Sequence, residues 1–152
     1  MKIRTDHVTV LVIRPAGRSF EFLQLRRSAE DYLGGTWQTV RGSAEPGETS
    51  AQTALRELKE ETGLTPVEFY TLGICENCYI APADTLFHSP TFVALVNLND
   101  AVILDREHDA FRWISRQEVA DQFMWPSEAP LLQAVCQILD NGPAKAHLRL
   151  HP

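Results

Sequence analysis

The stretch Gly42–Leu64, GSAEPGETSAQTALRELKEETGL, decides how this chain is read. It opens on a turn, Glu45-Pro46-Gly47-Glu48. Thr49-Ser50-Ala51-Gln52 follows as a capping-box pattern, in which the Thr49 side chain accepts from a backbone N–H while Gln52 reaches back. The periodicity then predicts a helix to about Thr62, with Gly63 as the left-handed residue that ends it. On a helical wheel Ala51, Ala54, Leu55 and Leu58 share one face, which must be buried. Glu57, Glu60 and Glu61 share the other, and Lys59 points elsewhere. Carboxylates at i, i+3 and i+4 repel one another. A cluster of this kind calls for a counter-charge, and a divalent cation that takes oxygen ligands and shares them with phosphates is the natural one.

Outward from this stretch, the 152 residues suit one domain with a substantial core. We read 1–141 as that single domain and 142–152 as a tail. The formal net charge of −6 argues against non-specific nucleic-acid binding, and no stable nucleic-acid partner is expected. A nucleotide substrate stays open, because bound cations invert a local field. No apolar run has the length of a membrane span, and Met1–Asp6 lacks the apolar stretch of a secretory signal. Three cysteines, Cys75, Cys78 and Cys136, form no disulfide framework, so a reducing cytoplasm is the expected compartment. Cys75-x-x-Cys78 lies in a strand pattern without a second ligand pair, and reads as two small strand residues.

The flanks alternate in the manner of a mixed α+β domain. His7–Ile13 and Phe20–Arg27 read as a hairpin across the turn Pro15–Ser19. Trp37–Val40 is a short strand leading to Gly42. Val67–Leu72, Cys75–Ile80, Thr91–Val96 and Phe111–Ile114 read as further strands. Ser115-Arg116-Gln117-Glu118 starts a short helix to about Gln122, broken at Phe123–Pro126. Ser127 caps a last helix, Glu128–Leu139, which Asn141-Gly142-Pro143 ends.

The spacing of the central stretch has a known counterpart. Gly42, five residues, Glu48, seven residues, Arg56-Glu57-Leu58, one residue, Glu60-Glu61, one residue, Gly63-Leu64 resembles the Nudix box at every specified position. The resemblance implies the Nudix fold, an α/β/α sandwich with a mixed sheet and the box as loop–helix–loop. It also implies hydrolysis of a nucleoside diphosphate linked to another group, with Mg²⁺ or alternatively Mn²⁺. Glu57, Glu60 and Glu61 match the family's metal-binding carboxylates, and Glu57 or Glu60 is the candidate general base. Arg56 and Glu48 match a pair that orients the catalytic helix. The Arg41 carbonyl is a further candidate ligand, with Gly42 allowing close backbone approach. Glu107, in Arg106-Glu107-His108-Asp109, is the candidate acid from outside the box, with Asp105 and Asp109 as competitors.

The lead-in Trp37-Gln38-Thr39-Val40-Arg41-Gly42-Ser43 is similar to that of dihydroneopterin triphosphate diphosphatases, whose relatives hydrolyse dATP. This implies a dihydroneopterin triphosphate or (d)NTP substrate cleaved to a monophosphate and pyrophosphate. Candidate ring contacts are Trp37, Gln38, Tyr79, Phe87, Phe123 and Trp125, and Arg26, Arg27 and Arg41 are candidates for the phosphates. The alternatives are a dinucleoside polyphosphate or RNA 5′-pyrophosphate hydrolase and, in a different class, a non-catalytic ligand-sensing Nudix domain. Such domains commonly lose box glutamates, all of which are present here. Family members are often dimers, which leaves a homodimer open.

Overall fold

The computed structural model describes residues 1–119, 121–122, 125–141 and 146–151. The apolar, β-branched run after Asp6 forms β2 (His7–Ala16), following a short β1 (Lys2–Arg4). β3 (Ser19–Arg27) pairs antiparallel with β2, as the hairpin reading expects. β4 (Trp37–Gln38) and β5 (Val40–Ser43) lead into α1 (Ser50–Thr62). β6 (Glu68–Ile80), β7 (Thr85–Leu95) and β8 (His108–Ser115) follow, then α2 (Arg116–Val119), α3 (Ala129–Asp140) and β9 (Arg149–Leu150).

All of the strands join one mixed sheet with the main order β4-β3-β2-β7-β6-β9. β2 runs parallel to β7, whereas its pairings with β3 and β5 are antiparallel. The strand period of two divides the sheet's residues between two helical layers. Val8, Val10 and Val12 of β2 join Leu23, Leu25, Phe92, Ala54 and Leu58 on the α1 side. Leu11 and Ile13 join Phe20, Phe22, Val93, Leu131 and Val135 on the α3 side. This is the expected sandwich, with the sheet at its centre.

Several boundaries differ from the sequence reading. Segments 67–72 and 75–80 form one strand, β6, whose register shifts between Thr71 and Cys75. Gly73, at φ 65°, absorbs that irregularity. Among the described residues the predicted second helix covers Arg116–Val119. Phe123 and the Gly142-Pro143 helix stop lie outside the described residues. Beyond them the tail rejoins the sheet, with Leu150 opposite Phe69. Among the described residues, no helix is long and apolar enough to cross a membrane.

Candidate active site

The box helix is fixed at both ends. The Gln52 N–H donates to Thr49 Oγ1 at 3.3 Å and the Thr49 N–H donates to Gln52 Oε1 at 2.9 Å, so both halves of the capping box form. Gly63 closes the helix at φ 70°, its N–H donating to the Lys59 carbonyl. Ala54 and Leu58 are fully buried against the sheet. This orientation turns the opposite, acidic face toward β5. Gly42 on β5 makes that approach possible, since a Cβ there would lie 2.0 Å from Glu57 Cδ. The glycine therefore makes room for a carboxylate of this chain.

Arg56 gathers the acids of the helix. Its Nε donates to Glu48 Oε1 at 2.8 Å and its Nη2 donates to Glu48 Oε2 at 3.0 Å and to the Ser43 carbonyl at 2.8 Å. Its Nη1 donates to Glu57 Oε1 at 2.9 Å and to Glu60 Oε2 at 3.0 Å. Part of the counter-charge that the acidic face requires is thus supplied from within the helix. Glu48 also accepts from the Glu45 N–H and from Thr53 Oγ1. Chiefly through Arg56, its carboxyl is held down at about 2.

Glu57, Glu60 and Glu61 line one cleft of about 550 Å³ together with Asp105, Glu107, Arg27 and Arg56. Burial pushes the Glu57 carboxyl up, against the pull of Arg56. Glu61 is only 5% exposed and its Oε2 has no hydrogen-bond partner among the described residues. Burial raises its pKa well above the ordinary range, and the charges of Glu57, Asp105 and Glu107 add to the effect. An orphaned buried carboxylate oxygen among further acids is the environment a hard cation completes. The residues present therefore fit a divalent ion, with Glu57, Glu60, Glu61 and Glu107 as the available donors. Among the described residues no three acids already stand at the spacing of a closed cation cage. They form a wall of donors, two of them held by Arg56.

The loop that carries Glu107 is anchored from behind. His108 is buried, with Nδ1 2.9 Å from Asp105 Oδ1 and Nε2 3.2 Å from Gln38 Nε2. With the Gln38 amide donating to Nε2, the Nδ1–H is directed to Asp105. The Ser28 N–H donates to the Glu107 carbonyl at 2.8 Å. Glu107 Oε2 stands 3.5 Å from Arg27 Nη2.

Uncharged residues complete the lining: Cys78 and Ile80 of β6, Phe87 and Ser89 of β7, and Trp125. The His7 and Phe87 rings meet edge to face at 4.7 Å. Of the candidate substrate contacts, Gln38, Arg27, Arg41, Phe87 and Trp125 line the cleft. Trp37 does not. It lies beside the guanidinium groups of Arg112, at 4.2 Å, and Arg26, at 5.8 Å, outside the lining. Arg26 is turned to Asp109, and Tyr79 is exposed and bonded to Asp84. The Arg41 side chain departs most from expectation. It is engaged by two buried carboxylates, Glu76 at 2.8 Å and Glu128 at 2.6 Å, instead of being held free for a phosphate. Tyr32, Leu33 and His7 also line the cleft, without a motif to mark them in the sequence. Their only local signal is position, in the loop before the box and at the start of a strand.

The family model for the NUDIX domain matches residues 3–135. The chain belongs to the Nudix hydrolase family. The dihydroneopterin triphosphate diphosphatase of Escherichia coli (strain K12) is 31% identical over 132 residues, covering 78% of this chain and 85% of that protein. An octanoyltransferase of Myxococcus xanthus is 37% identical over 109 residues, covering 70% of this chain. This Nudix chain spans only 30% of the length of that relative. In fold, it superposes on the C. elegans Ap4A hydrolase, solved as a binary complex, with a TM-score of 0.77 at 23% identity. That superposition covers 91% of this chain and 100% of the other. The resemblance read from Gly42–Leu64 is borne out, and members of this family generally use divalent metal ions.

Proposed function

We propose that this chain hydrolyses a nucleoside-triphosphate-like substrate, dihydroneopterin triphosphate or a (d)NTP, to the monophosphate and pyrophosphate, with Mg²⁺ and alternatively Mn²⁺ as the ion. One observation carries the reading: a single cleft is lined both by the acidic face of α1 and by Phe87, Ile80 and Trp125. A polyphosphate chain is repelled by such a wall unless a cation stands between them. A planar ring, by contrast, favours an apolar and aromatic lining with a few polar groups.

Glu57, Glu60, Glu61 and Glu107 would hold the ion, which when bound neutralises phosphate oxygens and acidifies water. Arg56 orients Glu57 and Glu60 and fixes the helix on the Ser43 carbonyl. Glu57 and Glu60, both held by Arg56 and both lining the cleft, are the candidates to accept the proton of an attacking water. Arg27 is the cleft arginine left to meet phosphate, since the Arg41 fork is occupied. Gln38 contributes by bracing His108 and the Glu107 loop.

The test is a product-resolved screen over dihydroneopterin triphosphate, (d)NTPs, Ap4A and nucleotide sugars, with Mg²⁺ and with a chelator. Release of pyrophosphate plus a monophosphate is expected from the first two classes. Cleavage of Ap4A alone would replace this substrate assignment. In the same assay, Glu107→Ala is expected to raise the Mg²⁺ concentration needed for half-maximal rate by about tenfold or more. An unchanged requirement would show that another acid serves.

A further inference from the structure

The Arg41 side chain takes no part in the proposed hydrolysis, although it lies in a buried polar cluster on the wall of the cleft. Glu76 of β6 and Glu128, at the end of the single turn Pro126–Glu128, have side chains only 1% exposed. The Arg41 fork spans both. Nη1 is 2.8 Å from Glu76 Oε2, and Nη2 donates to Glu76 Oε1 at 3.0 Å and to Glu128 Oε1 at 2.6 Å. Glu76 is saturated by two further donors, Thr9 Oγ1 at 2.8 Å and Ser127 Oγ at 2.7 Å. Two consecutive side chains, Ser127 and Glu128, are therefore pinned to the sheet just beyond Trp125. Glu128 Oε2 also accepts from the Trp125 N–H at 3.4 Å. Trp125 itself lines the cleft beside Arg41 and Cys78.

Stability alone does not account for this arrangement. A buried ion cluster is commonly no more stabilising than well-packed apolar side chains of the same volume, whereas its hydrogen bonds admit one geometry only. An apolar contact would let the Pro126–Glu128 turn slide over β6. A planar guanidinium with both Nη groups bonded to carboxylates does not. Burial drives Glu76 upward, but Arg41, Ser127 and Thr9 bring it net below the ordinary range. Burial leaves Glu128 above it in spite of Arg41.

We propose that the Arg41–Glu76–Glu128 cluster is a positioning device that fixes the Trp125 wall of the cleft and so sets affinity for the substrate's ring. The proposal rests on the reading of the Phe87 and Trp125 lining as the ring slot. Arg41, Glu76 and Glu128 act through Trp125 and touch no reacting atom.

The test labels the full chain with 5-fluorotryptophan, which gives one ¹⁹F resonance for each of the three tryptophans; Trp125→Phe assigns the relevant one. In Glu128→Ala the Trp125 resonance is expected to shift or broaden while those of Trp37 and Trp113 stay in place. KM for the best triphosphate substrate rises about tenfold and kcat changes less than about threefold, the pattern of lost binding with the chemistry retained. Glu128→Gln, which still accepts from Arg41, restores both readouts. Should Glu128→Ala fail to fold, Ser127→Ala removes one pin and is expected to move the same resonance. A Trp125 resonance unmoved in the folded variant overturns the proposal, as does a loss confined to kcat. If the wild-type chain cleaves no triphosphate, the substrate reading fails. The fluorine measurement still decides whether the cluster positions Trp125.

Discussion

Two arginines stand on the cleft, one on β5 and one on α1, and their side chains are almost equally exposed: 19% for Arg41 and 21% for Arg56. The difference lies in their partners. Arg41 holds Glu76 and Glu128, both with 1% exposed side chains. Arg56 holds Glu48, Glu57 and Glu60, whose side chains are 19%, 13% and 55% exposed. Carboxylates that reach solvent can exchange a guanidinium for another cation at little desolvation cost. Carboxylates sealed in the core cannot. The Arg56 cluster is therefore suited to binding and chemistry, and the Arg41 cluster to holding shape.

The largest expected effect on this contrast comes from Arg41→Met. It leaves Glu76 and Glu128 buried together without a cation, and should lower unfolding free energy by about 3–5 kcal/mol in urea titrations. A loss below about 1 kcal/mol would show that the two clusters are energetically alike. Gly42→Ala is expected to act on chemistry instead. Its Cβ would occupy the space of the Glu57 carboxyl, and turnover should fall about 10–100-fold. Full activity in that variant would mean that Glu57 has another workable position.

The pH dependence comes next. Glu48, held at about 2 by Arg56 and then by the Glu45 N–H, has a folded pKa below its ordinary value of 4.5. Its contribution is complete above the ordinary value and is lost as pH falls through the folded one. Melting temperatures of wild type and Glu48→Gln should therefore differ above about pH 4.5 and converge toward pH 2. Parallel curves would remove the Arg56–Glu48 pair from the account. The smallest effect is expected at Glu60, where the 55% exposed side chain makes its pair with Arg56 salt-sensitive. Glu60→Ala should cost less than about 1 kcal/mol of stability, and nothing measurable at about 1 M salt.

What the sequence made legible was local. The capping box of Thr49 and Gln52, the left-handed Gly63, the buried face of Ala54 and Leu58, and the β2–β3 hairpin depend on neighbours within a few positions. Each formed as periodicity and turn chemistry predict. The inward turn of Arg41 was not legible, because its partners lie 35 and 87 positions away. A lone arginine just before the box carries no mark of whether its fork is free. The same reason hid the pairing of Leu150 with Phe69, and the displacement of Trp37 from the cleft by its contacts with Arg26 and Arg112. The acidic face of α1 calls for a counter-charge, and part of it, Arg56, lies within the helix itself.

The most direct test of the account is pyrophosphate release by Glu57→Gln under saturating Mg²⁺, with its urea midpoint measured alongside. The substitution keeps the shape of the side chain and removes its charge. Turnover is expected to fall by about a hundredfold or more, with the midpoint close to that of wild type. Undiminished turnover in the folded variant would contradict the assignment of the chemistry to the Arg56 side of the cleft.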